Sequence, residues 1–368
     1  MSDRMKYPPD HDFGFYQRRK HDKWREVVPP EPALEGPVAD SHAHIHMLPD
    51  PAWEFARCAA NGVRFVCEIC DPSEDDIKSG FLSSTKIVIE NAREAKFAGE
   101  NNGRSNGGEN GVNGESGKNG EAAKGNDDAS GEKPYEVHSS QKTTKTLDDK
   151  KPDFMSYCVA TGVHPHNAKL YDEAVERRLR TWLAAPAAKA VGEIGLDFHY
   201  DLSPRDAQRR VFRRQVELAC ELDLPIALHL RGGEDPVEDN AHAEAFAILS
   251  EMGFPARGTI VHCCALPPDE LRPWIEAGCY IAYGGALTFK NADAAREGAL
   301  IVPEDRLLLE TDSPYMAPEP MRGTACTPAH VIFTAAALAE LRGYAPGPDR
   351  ERFLSQLYAN TLRFFDME

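Results

Sequence analysis

Eight short apolar runs, separated by helix-length stretches or loops, constrain this 368-residue chain more than any other feature. They occupy residues 37–44, 63–69, 156–163, 188–197, 224–230, 258–262, 280–283 and 307–312. Stretches with helical patterning lie between them, at about 51–61, 84–97, 172–184 and 203–222. In the last of these Val211, Phe212, Val216, Leu218 and Ala219 form an apolar face. Strands alternating with helices predict a parallel sheet, and eight of them can close into an α/β fold of the (β/α)8 TIM-barrel type.

Two segments stand outside that pattern. Residues 1–36 mix aromatic, basic and proline-rich pieces without a sustained period and read as an N-terminal extension. Residues 99–153 interrupt the alternation between the second helix and the third strand. Their first 28 positions hold sixteen Gly or Asn, and the largest aliphatic residue among them is Val112. Such a stretch buries too little apolar surface to offset its ordering entropy, so a disordered insert is expected, a linker without a catalytic part. The expected hydrolase domain is therefore residues 37–98 together with 154–368, near the roughly 250 residues usual for such a barrel.

Net charge is −17, of which the insert supplies only −3 through eleven acids and eight bases. Passive binding to duplex nucleic acid needs clustered Lys and Arg, so this balance argues against it, although bound cations can reverse the charge of a site locally. No apolar run reaches 18 residues, the first twenty residues lack the apolar block of a secretory signal, and nine scattered cysteines form no disulfide framework. The expectation is a cytoplasmic protein with no membrane association and no obligate protein partner.

The chemistry gathers at the ends of the runs, where barrel enzymes place their catalytic residues. A strand turns successive side chains to opposite faces, so a spacing of two sets Asp40, His42 and His44 on one face. Glu193 lies late in the fourth run; His229, His262 and Asp312 end the fifth, sixth and eighth. A single histidine in an apolar run is more often a satisfied core residue. Four imidazoles and two carboxylates at strand ends instead suit one or two divalent cations, with a carboxylate able to bridge. Mixed nitrogen and oxygen ligands admit zinc or manganese and, less comfortably, magnesium. Cys67 and Cys70 have a spacing seen in zinc and redox sites, but no second pair accompanies them, and buried inert thiols are the expectation. Cys263 and Cys264 directly follow His262 without an activating neighbour in sequence.

These residues also carry a resemblance. Asp40-Ser41-His42-Ala43-His44 resembles the Asp-x-His-x-His opening of metal-dependent barrel hydrolases. Four more motifs narrow it: Thr161-Gly162-Val163-His164-Pro165-His166, Gly192-Glu193-Ile194-Gly195-Leu196-Asp197, the stretch 224–231 ending Leu228-His229-Leu230-Arg231, and Leu309-Glu310-Thr311-Asp312-Ser313-Pro314-Tyr315. With Thr288-Phe289-Lys290-Asn291-Ala292 and Asn360-Thr361-Leu362-Arg363-Phe364-Phe365, they resemble the TatD family of metal-dependent deoxyribonucleases.

The resemblance implies two divalent metal ions (Mg, Mn or Zn). His42, His44, Glu193 and Asp312 would surround one, and Glu193, His229 and His262 the other, with Glu193 as the bridge. Chemistry fits that distribution: a hydroxide shared by the cations would be the nucleophile in phosphodiester cleavage, and Asp312 could also take the proton from the attacking water. His164 would point into the pocket and hold or polarise a phosphate oxygen. Arg231 could clamp a phosphate with its fork of donors, or make a surface salt bridge. Asp197 is expected to orient a neighbour of the ligands. His166 is read as structural, and His46 is left outside the site.

Three loops depart from the family pattern, at Arg231-Gly232-Gly233, Cys263-Cys264-Ala265-Leu266-Pro267 and Ala325-Cys326-Thr327-Pro328. All three should frame the substrate. The leading expectation is a TatD-type deoxyribonuclease acting on a DNA substrate, single-stranded or at strand ends. The alternatives are hydrolysis of an amide, ester or lactone on the same ions, and a metal-stabilised scaffold whose insert recruits a partner.

Overall fold

The computed structural model describes residues 16–20, 23–27, 36–74, 155–235 and 237–368. Near the N-terminus β1 (Tyr16–Lys20) and β2 (Lys23–Val27) pair antiparallel. That hairpin was not legible in the sequence, because its residues are charged almost throughout and no Asn-Gly or Asp-Gly turn marks the connection. Its last residue, Val27, is buried in the main hydrophobic core.

Eight parallel strands follow: β3 (Val38–Ala43), β4 (Val63–Cys70), β5 (Ser156–Thr161), β6 (Ala188–Asp197), β7 (Ile226–Arg231), β8 (Thr259–Val261), β9 (Tyr280–Tyr283) and β10 (Leu307–Leu309). Each bonds to its neighbour in chain order. The seam between last and first strands is closed beyond the end of β10. There Asp312 N donates to His42 O at 2.9 Å, and His44 N donates to Ser313 O at 2.8 Å. The result is a (β/α)8 TIM barrel.

Helices return the chain between strands: α1 (Pro51–Ala60), α2 (Glu173–Leu183), α3 (Arg205–Glu221), α4 (Ala241–Met252), α5 (Pro268–Glu276) and α6 (Asp293–Ile301). Past β10 come α7 (Val331–Leu341) and α8 (Pro348–Phe364). Their starts follow local chemistry. Asp50 accepts from Trp53 N at 3.0 Å with Pro51 in the first turn, Asp172 accepts from Ala174 N and Val175 N at 2.8 Å each, and Asn240 accepts from Ala243 N at 2.9 Å. The helix expected at 84–97 and the insert at 99–153 lie outside the described residues.

Alternation along the strands sorts the core into two layers. Val66, Val191, Ile194, Ile226, Leu228, Ile281 and Leu307 pack outward against Leu179, Phe212, Val216, Leu249, Trp274 and Leu338 of the helices. Phe65, Cys67, Ile69, Cys158, Ala160, Ala190, Ile260, Ala282 and Leu308 pack together in a second layer with Phe364 and Phe365 at the end of α8. Each large side chain removed from water in this way contributes about 1.5–3 kcal/mol. Four strands end short of their apolar runs, at Ala43, Thr161, Val261 and Leu309. At these ends the backbone leaves the ladder, and the residues beyond it are the polar ones.

Gly195 is where β6 passes closest to β7. With φ at +150°, a Cβ there would lie 2.0 Å from His229 O, so no side chain fits without moving the strands apart. Gly195→Ala should therefore lower the stability measured by urea unfolding by about 2 kcal/mol or more. Helices α2 and α3 are tied by charge. Glu176 meets Arg214 at 2.6 Å and Arg180 at 3.1 Å, while Glu221 meets the same arginines at 3.2 and 2.8 Å. The Arg214 hydrogen bonds hold the Glu176 carboxyl down at about 2, from an ordinary 4.5. A depressed carboxyl stabilises the fold above its unfolded pKa and loses that contribution as pH falls through the folded one. Glu176→Gln should then cost roughly 1 kcal/mol at neutral pH, with the difference from wild type vanishing between pH 4.5 and 2 in unfolding titrations.

Candidate metal centre

The polar residues at the C-terminal rim are brought together by irregularities in two strands. Against β4, the register of β3 shifts between Asp40 and Ala43. Against β7, Glu193 is the extra residue between Gly192 and Ile194 of β6. A bulge of this kind re-aims the side chains that follow it. The expectation that Asp40 shares a face with His42 and His44 is accordingly wrong. Asp40 instead accepts from Thr311 Oγ1 at 2.6 Å and Thr311 N at 2.9 Å, fixing the segment that carries Asp312. Asp312 itself lies three residues past β10 rather than at its end, in the left-handed region at φ 57°. Its carbonyl accepts from Tyr315 N at 2.8 Å, so the turn holds its own shape.

Glu193 is the centre of the group. Its Oε2 lies 3.5 Å from His42 Nε2 and 3.8 Å from His44 Nε2. Its Oε1 lies 2.6 Å from His229 Nδ1, 2.9 Å from His262 Nε2 and 3.8 Å from His164 Nε2. Asp312 Oδ1 stands on the first side, 3.5 Å from His44 Nε2 and 3.9 Å from His42 Nε2. Every one of the six side chains expected at strand ends is in this cluster, together with His164.

The donor set can be tested against a divalent cation from its own chemistry. Neither ring nitrogen of His42 makes a hydrogen bond, although the residue is 1% exposed. A buried polar group without a partner is costly, and a cation facing Nε2 would supply one. Ligands about 2.1 Å from a shared tetrahedral ion stand about 3.4 Å apart. The 3.5–3.9 Å separations among His42, His44, Glu193 and Asp312 therefore already suit one ion. On the other side, His229 and His262 approach Glu193 at hydrogen-bonding distance and would have to open slightly. The residues fit the group.

Electrostatics keep the two acids ionised and divide the imidazoles. Burial works to raise the Glu193 carboxyl, but His229, His262, His42 and His164 hold it well below the usual carboxylate range. Asp312 is likewise lowered against burial, by His44, His262 and His42. Burial, reinforced by the His262 ring stacked at 3.9 Å, lowers His42, which favours the neutral ring with one nitrogen lone pair for a cation. Burial also lowers His164. His44, His229 and His262 move the other way, His229 up to about 9, because Asp312 and Glu193, Glu193 and Asp197, and Glu310 and Glu193 respectively outweigh their burial, so on these three a cation would take the place of a proton.

Three further acids fasten the cluster from behind. Asp197 Oδ2 lies 3.2 Å from His229 Nε2 and 2.9 Å from His166 Nε2, the orienting role expected of it. Glu310 accepts from Cys263 N at 2.6 Å and lies 3.4 Å from His262 Nδ1. Glu68 accepts from Ile45 N at 3.0 Å and His46 N at 3.1 Å, and lies 2.5 Å from His46 Nδ1, so it pins the turn directly after His44. Neither Glu310 nor Glu68 was singled out from the sequence. The available signal was an acid embedded in an apolar strand, Cys67-Glu68-Ile69 and Leu308-Leu309-Glu310.

The remaining candidates divide. His164 caps the loop after β5, its Nδ1 accepting from His166 N at 3.1 Å, and at the same time turns Nε2 to Glu193. His166, read as purely structural, joins His164 and His229 in a group whose ligand atoms lie within 4.8 Å of one another. Arg231 is exposed at the rim, its Cζ 4.8 Å above the Tyr200 ring. Cys67 and Cys70 are buried, and no disulfide joins any of the nine cysteines.

Comparison with known proteins gives this arrangement a family. The model for TatD related DNase matches residues 39–366. The metal-dependent hydrolase YabD of Bacillus subtilis (strain 168) is 39% identical over 183 residues, half of this chain and 69% of that protein. The 3'-5' ssDNA/RNA exonuclease TatD of Erwinia billingiae (strain Eb661) is 34% identical over 218 residues, 57% of this chain and 78% of that one. Among solved structures, the TatD homologue YJJV of Escherichia coli K12 superposes with a TM-score of 0.62 at 21% identity, covering 90% of this chain and 98% of that chain. A TatD family hydrolase of Entamoeba histolytica superposes at 0.58 and 14% identity, over 91% of this chain and 100% of that one. These two structures share the fold; the sequence matches carry the kinship. Among the described residues no helix is long and apolar enough to cross a membrane. The chain belongs to the TatD family of metal-dependent hydrolases.

Proposed function

We propose that this protein is a deoxyribonuclease that removes nucleotides from single-stranded DNA or strand ends, using two divalent cations held by the Glu193 cluster. The observation that carries the reading is the division of the Glu193 carboxylate. One oxygen faces His42 and His44 with Asp312 beside them, and the other faces His229 and His262. A carboxylate placed in this way suits a bridge between two ions. Bound cations would supply Lewis acidity to the phosphoryl oxygens and lower the pKa of water at the site. Magnesium, manganese and zinc all accept this mixture of imidazole and carboxylate.

The chain's own residues supply the rest. Asp312, ionised and partly open at the rim, accepts the proton lost by the attacking water at its carboxylate. His164, neutral and aimed at the same centre, holds a phosphate oxygen through Nε2. Arg231 stands at the rim, where an incoming phosphodiester would meet its charge. Residues 99–153 have no catalytic part in this scheme. A single-stranded substrate fits the chain's net charge of −17, which disfavours holding a duplex along a broad surface. It also agrees with the Erwinia relative, a 3'-5' exonuclease of single-stranded DNA and RNA. Nine cysteines with no disulfide among them support a reducing, cytoplasmic setting.

The test uses a labelled single-stranded oligonucleotide. Chelation should abolish its cleavage, and added Mg²⁺ or Mn²⁺ should restore it. His229→Ala should lower kcat/KM by about a hundredfold or more. Undiminished cleavage by His229→Ala, or turnover confined to lactones or aminoacyl esters in a substrate panel, would overturn the nuclease reading.

A further inference from the structure

Beside the metal cluster Arg231 lies against Tyr200, a residue that the chemistry above does not use. Tyr200 follows β6 and is 53% exposed, although its position is tightly determined. Asp197 Oδ1 accepts from His199 N at 3.0 Å and from Tyr200 N at 2.8 Å, closing the turn that lifts the ring. Asp201 takes Arg205 Nε at 3.0 Å and Nη2 at 2.8 Å, and the Arg205 guanidinium covers the Phe198 ring at 4.5 Å. Phe198 N donates to Arg231 O at 2.9 Å, so the end of β7 is locked to the same loop. Over the Tyr200 ring lies Arg231 at 4.8 Å, with the rings of His199 and His166 meeting it edge-on at 4.8 and 5.5 Å.

An exposed tyrosine alone would be ordinary surface. This one has its backbone tied down by Asp197, carries a guanidinium on its ring, and is joined to the metal cluster through that same carboxylate. Asp197 Oδ1 sets the Tyr200 turn while its Oδ2 sets His229 and His166. A flat aromatic face beside a fixed positive charge matches one repeating unit of a single strand, a base with its phosphate.

We propose that Tyr200 and Arg231 form a stacking platform that receives the base and phosphate of a nucleotide neighbouring the cleaved bond. The proposal rests on the nuclease reading and adds to it a site for the unreacting part of the strand. Because every base has a π-face, the platform would hold a strand without selecting its sequence. Because Asp197 already fixes the backbone of the turn, less ordering cost is left to be met on binding.

Wild type, Tyr200→Ala, Tyr200→Leu and Tyr200→Phe are assayed with Mn²⁺ on a single-stranded oligonucleotide. The same strand is then used with an abasic sugar replacing each of its terminal three nucleotides in turn. Tyr200→Ala and Tyr200→Leu should raise KM about ten- to a hundredfold, the loss expected for one base–aromatic stack, while Tyr200→Phe stays near wild type. Tyr200→Leu separates loss of the ring from loss of the fold, since it keeps an apolar side chain on the loop. In wild type one abasic position should reproduce that rise, and Tyr200→Ala should add nothing to it. A 2-aminopurine at that position should be quenched by wild type and Tyr200→Phe but not by Tyr200→Ala. An unchanged KM in Tyr200→Ala, or losses that multiply at every abasic position, would overturn the platform. If wild type leaves the intact strand uncut, the nuclease reading fails first and the platform with it.

Discussion

One buried carboxylate faces five imidazoles, and the rim of the barrel is built to keep it there. Burial alone would leave Glu193 protonated, a neutral acid of no use to a cation. The surrounding rings reverse that outcome, with His229, His262 and His164 acting on one oxygen and His42 on the other. The strand irregularity at Gly192–Ile194 is what turns this side chain to the centre. The closure of the barrel by Asp312 and Ser313 on β3 brings the last acid to the first histidines. Fold closure and site assembly are thus the same set of hydrogen bonds.

The order behind the cluster follows from the same need. Imidazoles that must present a lone pair in a fixed direction need their other nitrogen or their backbone held. Asp197 does this for His229, Glu310 lies against His262, and Glu68 fastens the turn that follows His44. Asp40 does it once removed, through Thr311. The rim therefore consists of an inner group whose atoms point at one another and an outer ring of buried acids that point at the inner group's supports.

The sequence made the inner group legible because its members recur at the ends of apolar runs, and that pattern survives any uncertainty in strand boundaries. His42, His44, Glu193, His229, His262 and Asp312 could be picked out by position alone, and the eight-strand alternation predicted the barrel that brings them together. Local geometry was not readable. A spacing of two implied that Asp40 belonged with the histidines, whereas a register shift in β3 sends it to Thr311. Likewise Asp312 reads as a strand residue but sits in a left-handed turn beyond the strand. Glu68 and Glu310 escaped notice because their partners are backbone amides and rings from other strands, which no spacing rule encodes. The same holds for Tyr200, whose significance depends on Arg231 arriving from the next strand.

The account stands on Glu193 serving two cations at once. Titrating metal-free protein with Mn²⁺ and recording the electron paramagnetic resonance spectrum tests this directly. Two ions sharing a carboxylate at about 4 Å should give an exchange-coupled signal that grows as loading approaches two per chain. A spectrum of isolated manganese at every loading would contradict the shared-carboxylate centre.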